Sequence, residues 1–180
     1  MKNKKPLILI TNDDGYQAKG IEALIDSVKD LGDIIVVAPD GPRSGMSSAI
    51  TSLQPLRVYL ISESQNIKVY ATTGTPVDCV KLGISELAER RPDIVLSGVN
   101  HGSNAAVAVL YSGTMGAAIE GCINRIPSIG FSLCNHRADA DFTHIIPYVT
   151  AIAQKVIEKG LPQGTCLNVN MPENPPKGIK

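Results

Sequence analysis

Two short apolar runs with an amphipathic stretch between them constrain this chain most. Leu7-Ile8-Leu9-Ile10 is unbroken by polar residues and ends in Thr-Asn-Asp-Asp-Gly. Ile34-Ile35-Val36-Val37-Ala38 repeats the pattern and ends in Pro39-Asp40-Gly41. Runs of this length without alternation fit strands buried on both faces, as in a parallel sheet. Between them Ile21, Leu24, Ile25, Val28 and Leu31 recur at helical spacing, and Gly32 follows as a stop. A β-α-β unit of this kind has parallel strands and a right-handed crossover. The chain is therefore committed early to a sheet covered by helices.

The remainder continues the alternation. Residues 44–52 are rich in Ser and Gly and predict a loop. Residues 56–60 and 67–71 predict two strands, with Ser62-Glu63-Ser64-Gln65-Asn66 as the hairpin turn. Thr75 is an expected N-cap with Pro76 at the first helical position, ahead of Val77, Val80, Ile84 and Leu87. Ile94-Val95-Leu96-Ser97 predicts another buried strand, running into Gly98-Val99-Asn100-His101-Gly102. Ser112-Gly113-Thr114 opens a helix to about Cys122, and residues 128–133 predict a strand. Residues 145–157 have helical periodicity with Pro147 in the first turn, and residues 167–170 predict a last strand. Strands alternating with helices predict an α/β doubly wound sheet.

Length and charge narrow the class. A chain of 180 residues fits one domain. Lys plus Arg and Asp plus Glu both number 17, so no basic excess is available to neutralise a nucleic acid. The short basic run Lys2-Asn3-Lys4-Lys5 is read as a solvated flank. Cys79, Cys122, Cys134 and Cys166 lie far apart without a CxxC pair, which predicts reduced and mostly buried thiols. Neither a signal peptide nor an apolar run of about 18 residues is present, so the expectation is a soluble cytoplasmic protein without a membrane span. The Pro-rich stretch after the last strand suggests that further chain follows.

In an open α/β sheet, ligands bind outside the carboxyl ends of the strands. The residues just past each strand are therefore the candidates. The first strand supplies Asn12, Asp13, Asp14 and Gly15; the second Asp40, Arg43 and Ser44; the next helix-flanked strand Ser97, Gly98, Asn100 and Gly102. Two adjacent carboxylates at a buried strand end repel each other, and a divalent cation relieves both the repulsion and the burial cost. Oxygen donors without thiols or paired imidazoles favour Mg²⁺ or Mn²⁺ over zinc. Ser44 and Asn100 can complete the shell with neutral oxygens. The plain alternative is that Asp-Asp-Gly is a turn capping the next helix. Gly98 and Gly102 let backbone amides approach an anion, and the helix start at Ser112-Gly113-Thr114 offers hydroxyls and free N–H groups, though it also reads as an ordinary cap. Walker A, dinucleotide and nucleophile-elbow patterns are absent. His101 is expected at the rim, and His136 and His144 receive no role.

These residues fall into five ordered blocks: Thr11-Asn-Asp-Asp-Gly15; Val37-Ala-Pro-Asp40 with Arg43-Ser44; Thr73-Gly-Thr-Pro76 with Asp78-Cys79-Val80; Ser97-Gly-Val-Asn100 with Gly102 and Asn104; and Ser112-Gly-Thr114 with Glu120-Gly121. In these blocks the chain resembles the SurE family of stationary-phase survival proteins, from about Leu7 to Pro172. The resemblance implies a Rossmann-like core with a β-hairpin insertion and metal-dependent hydrolysis of nucleoside 5′- and 3′-monophosphates, with short polyphosphate as a further substrate of some members. It implies one divalent cation, Mg²⁺ or Mn²⁺, per subunit, ligated by Asp13, Asp14, Ser44 and Asn100. Asp13 or Asp14 would orient the attacking water or take its proton. Asn12, Gly41, Gly102, Ser112 and Thr114 would line the phosphate or substrate pocket. It also implies a homodimer or homotetramer, linked by a C-terminal arm and helix that residues 1–180 lack. Ala108 departs from the polar residue often found three positions before the Tyr of Tyr111-Ser-Gly-Thr114. The alternatives carried beside this reading are a non-catalytic nucleotide- or metal-binding regulatory module and a glycosyltransferase using the same crevice.

Overall fold

β1 (Leu7–Thr11) shows how the sequence divides its burial between two layers. Ile8 and Ile10 point into one apolar cluster and Leu9 into the other, and all three are fully buried. A fully buried aliphatic side chain of this size contributes about 1.5–3 kcal/mol. The first cluster is closed by α1 (Lys19–Val28) through Ile21, Leu24 and Val28, and by α4 (Ile146–Lys159) through Val149, Ala153 and Val156. The second lies under α2 (Pro76–Leu82) and α3 (Gly113–Ile123), with Cys79, Val80 and Ala117 against Leu9, Val37 and Val95. The computed structural model describes residues 5–174. Most of the basic N-terminal run and the Pro-rich end fall outside that range.

The described residues form one sheet in the order β3-β4-β2-β1-β5-β6-β7. β2 spans Asp33–Pro39, β3 Val58–Glu63, β4 Ile67–Thr72, β5 Ile94–His101, β6 Ser128–Leu133 and β7 Leu167–Met171. All neighbours pair in parallel except β3, which runs antiparallel to β4. The chain winds outward from β1 through β2 and β4, then returns and winds the other way through β5, β6 and β7. The order reverses between β1 and β5, whose register pairs Thr11 with Ser97. A crevice at the carboxyl ends of these two strands follows from that reversal.

Local signals explain most boundaries. Thr75 caps α2 by accepting from the Asp78 N–H while the Asp78 carboxylate accepts from the Thr75 N–H, with Pro76 at the first position. Beyond Leu82 the helix widens into a π-helical turn over Gly83–Leu87, where the bare Gly83 lets Leu9 press close. A short 3₁₀ turn over Thr143–Ile145 leads into α4, with Pro147 in the first turn. The hairpin strand predicted at residues 56–60 forms instead at Val58–Glu63, because pairing begins where Val58 meets Thr72 and runs to Lys68. β4 lies beside β2, so the hairpin extends the main sheet. The thiols depart from expectation: only Cys79 is buried, Cys122 and Cys166 are half-buried and Cys134 is exposed, all four unbridged. Near the end of α3 it is Gly121 that presses on Val95 and Ser128, and the adjacent Cys122 is left half-buried.

Candidate active site

Four segments meet at the crevice. The first is the turn after β1. Asn12 is buried, and its amide brackets the turn by accepting from the Gly15 N–H at 3.1 Å and donating to the Gly15 carbonyl at 2.8 Å. That side chain is spent on shaping the loop, so it braces Asp13 and Asp14 from behind. The second is the loop after β2. Arg43 donates its backbone N–H to the Asp13 carbonyl at 2.7 Å, and the Tyr16 N–H binds the Pro39 carbonyl at 3.0 Å. Gly15 sits against Gly41, which itself faces open space. Ser44 follows Arg43 in the same loop and is exposed.

The third segment is the irregular end of β5. Pairing with β6 slips between Ser97 and Asn100. Gly98 takes φ +125°, and a Cβ there would lie 2.3 Å from the Phe131 carbonyl oxygen, so only glycine fits. The Gly98–Val99 peptide is cis. Past the slip, Asn100 is half-buried and donates Nδ2 to the Gly102 carbonyl at 2.8 Å, which leaves its Oδ1 as the atom to offer a ligand. The His136 ring lies directly against Gly102. His101 stacks edge-on with Phe142, ring centroids 4.9 Å apart.

The fourth segment is the start of α3. Ser112 caps it, accepting from the Met115 N–H at 3.0 Å. The N–H groups of Gly113 and Thr114 belong to the first turn and have no carbonyl partner within the helix. Gly113 permits a close approach, since a Cβ there would be 2.8 Å from Asp13 Cβ. Thr114 is fully buried and its hydroxyl donates to Asp13 Oδ1 at 2.6 Å. Its side chain therefore acts on the carboxylate, and its backbone remains for an anion.

Both carboxyls are held above their ordinary range. Asp13, 4% exposed, is raised to about 6 by burial, opposed by the Thr114 hydroxyl and reinforced by the neighbouring Asp14. Asp14 is raised by burial, opposed by the His101 imidazole and backbone N–H. Asp14 Oδ2 is buried without a hydrogen-bond partner among the described residues, and so is the Ser97 hydroxyl. No lysine or arginine among the described residues answers this pair: the Arg43 guanidinium turns away to Asp40 at 2.8 Å, and the His101 imidazole beside Asp14 offsets only part of its burial. The Cys79 thiol beneath is pushed far up by burial, which makes it inert.

The donor chemistry fits a hard divalent ion. Among the described residues no group of three or more His, Cys, Asp or Glu is placed to hold a metal ion, so an ion here would have to complete its shell with amide, hydroxyl and water oxygens. What the crevice presents is a pair of carboxylates, one oxygen of which lacks a partner, with amide and hydroxyl oxygens nearby. Such a set suits Mg²⁺ or Mn²⁺, which take oxygen ligands and keep several waters. Patterning at strand ends could anticipate the Asp pair. It could not anticipate His136 against Gly102, or the use of Thr114 on Asp13, because both depend on how distant segments meet.

Comparison with known proteins identifies the family. A family model described as Survival protein SurE matches residues 8–180. The 5′-nucleotidase SurE of Phocaeicola vulgatus is 56% identical over the whole chain, covering 70% of that relative. The protein of the same name from Bacteroides thetaiotaomicron is 54% identical with the same coverage. Among solved structures, the Sure protein from Aquifex aeolicus superposes with a TM-score of 0.84 at 42% identity, over 94% of this chain and 67% of that one. With a family match over nearly its full length, and with the ordered blocks gathered at one sheet edge, the chain belongs to the SurE family of survival proteins.

Proposed function

We propose that this protein is a phosphomonoesterase that hydrolyses nucleoside 5′- and 3′-monophosphates to nucleoside and phosphate. The observation that carries the reading is the adjacent Asp13–Asp14 pair, Asp13 buried and Asp14 half-buried with its Oδ2 unpartnered among the described residues, facing the first turn of α3 without a lysine or arginine to neutralise it. The name 5′-nucleotidase borne by relatives more than half identical supports it.

In this reading Asp13, Asp14, Ser44 Oγ and Asn100 Oδ1 hold one Mg²⁺ or Mn²⁺ per subunit. The bound ion supplies positive charge and Lewis acidity beside the phosphate. Asp13 or Asp14 would orient the attacking water or take its proton. The Gly113 and Thr114 N–H groups and the Ser112 hydroxyl receive the phosphate at the positive end of the helix, with the backbone around Gly41 and Gly102 closing the pocket. Asn12 fixes the β1 turn throughout. The carboxylates need this arrangement as much as the substrate does, because the Thr114 hydroxyl and the His101 N–H offset only part of their burial and Asp14 Oδ2 has no partner among the described residues.

The same reading takes residues 1–180 as one α/β domain in a cytoplasmic homodimer or homotetramer. Exposed Tyr59, Leu60 and Ile61 on β3 and Ile123 on α3 offer apolar surface for subunit contact. No helix among the described residues is long and apolar enough to cross a membrane. The deciding experiment is phosphate release from a panel of nucleoside monophosphates with Mn²⁺, Mg²⁺ or EDTA. Release that EDTA abolishes is expected. Metal binding without release from any nucleotide would turn the reading towards a binding module.

A further inference from the structure

β7 carries Asn168 and Asn170 two positions apart, on one face of the strand. Asparagine is disfavoured in strands, so packing of an edge strand gives no reason for two of them. Their amides supply the reason. Asn170 Oδ1 accepts from the Asn104 N–H at 2.8 Å and from the Ser103 hydroxyl at 3.1 Å. Asn170 Nδ2 donates to Asn168 Oδ1 at 2.9 Å, and Asn168 Nδ2 donates to the Asn104 carbonyl at 2.9 Å. Asn104, itself buried, donates Nδ2 to the Ser132 hydroxyl on β6 at 2.9 Å. The Gly102 N–H binds the Leu133 carbonyl at 2.8 Å. Residues 102–104 are thus fixed by side chains and backbone of β6 and β7. The Gly102 carbonyl is in turn the group that orients the Asn100 amide.

We propose that Asn170 is a positioning residue for the nucleotidase reaction, supported by Asn168. It sets the backbone of residues 102–104, and through the Gly102 carbonyl it aims Asn100 Oδ1 at the cation. The proposal rests on the function proposed above. The sheet does not need this brace, since β6 and β7 pair continuously from Ile129–Leu167 to Leu133–Met171. Partners that orient metal ligands from outside the coordination shell typically change affinity or activity by about 10–100-fold.

The test uses the full-length protein, each variant assayed well below its own unfolding midpoint. Asn170→Ala is expected to weaken Mn²⁺ binding, measured by electron paramagnetic resonance without substrate, and to lower kcat, each by about 10–100-fold. KM should move by less than about threefold, because the start of α3 is untouched. Asn170→Asp keeps both accepted bonds and should hold Mn²⁺ within about threefold of wild type. Should Asn170→Ala not fold, Asn168→Ala carries the same readout with a smaller loss, since it removes only the donor to the Asn104 carbonyl and the Asn170 support. A lowered unfolding midpoint with wild-type Mn²⁺ binding would reduce the brace to a structural one and overturn the proposal. A wild-type protein that binds Mn²⁺ but releases no phosphate would defeat the nucleotidase reading alone, and the Mn²⁺ comparison would still decide the role of Asn170.

Discussion

The two ends of the sheet handle charge in opposite ways. At the amino end, acids and bases alternate near the surface. Asp93 accepts from the Leu7 N–H at 2.7 Å and pairs with Arg90 at 2.6 Å, and Lys68 lies between Glu89 at 2.9 Å and Glu63 at 3.2 Å. Lys68 is held well above the ordinary lysine range by its bonds to Glu89 and Glu63. At the carboxyl end, a buried acid and a half-buried one stand side by side and the Arg43 guanidinium is turned away. Paired exposed charges contribute little to folding. Unpaired buried ones cost it stability. A chain that retains the second arrangement beside the first is equipped to bind a cation at one end only.

The largest expected effect comes from removing one charge at the costly end. Asp13→Asn keeps the shape and the Thr114 hydrogen bond but halves the charge available to the ion. Turnover should fall by about a thousandfold or more, beyond the loss of a single transition-state donor. More than a tenth of wild-type turnover remaining would end the assignment of Asp13.

The same substitution should stabilise the protein when metal is removed. Asp13 has its folded-state pKa raised to about 6 from an unfolded value near 3.8. Below about pH 4 the group is protonated in both states and costs nothing. Between about 4 and 6 the folded chain retains a proton that the unfolded chain has released, so stability falls as pH rises. Above about 6 the full penalty stands, on the order of 3 kcal/mol. Urea unfolding in EDTA should therefore show Asp13→Asn more stable than wild type at pH 7, with the gap closing by about pH 4. Parallel curves across that range would show that Asp13 carries no such penalty. Saturating Mn²⁺ should reverse the order at pH 7, because a ligand of the folded state adds stability by mass action.

A smaller effect separates two roles of Thr114. The sequence placed it in the substrate pocket, whereas its hydroxyl meets Asp13 Oδ1. Thr114→Val removes the one side-chain bond that favours ionised Asp13, so its pKa should climb further. The acidic limb of the pH–rate profile should then move to higher pH, with a loss of about tenfold at pH 7. An unmoved limb with raised KM would instead return the hydroxyl to the substrate.

Much of this contrast was legible in the residues alone. β1, α1 and β2 announce themselves because each is buried along its whole inner length, so hydrophobic pattern and structure coincide. The Asp pair was legible because strand ends are where such sheets bind ligands. The β3 boundaries were not: Tyr59, Leu60 and Ile61 are apolar yet exposed on an edge strand, so pattern could not set its register. Nor could Asn168 and Asn170 be read, because their partners lie 64 and 66 residues away and an amide's direction is set by tertiary contact. The burial of Thr114 beneath Asp13 likewise arises only when α3 meets β1.

The smallest effect is expected at the amino end, and it completes the contrast. Lys68→Met removes a cation bonded to both Glu89 and Glu63. If charge pairing as such mattered to this fold, the substitution would be damaging, since it leaves two carboxylates facing one another. Their exposure says otherwise: Glu89 and Glu63 are largely solvated, with side chains 82% and 51% exposed, and water screens what remains. The unfolding midpoint should stay within about 2 °C of wild type and the remaining difference should vanish in high salt. Turnover should be unchanged, because Lys68 lies at the opposite end of the strands from Asp13. A shift as large as that of Asp13→Asn would mean that the two ends do not differ in kind, and that burial of the carboxylate pair is not what marks the site.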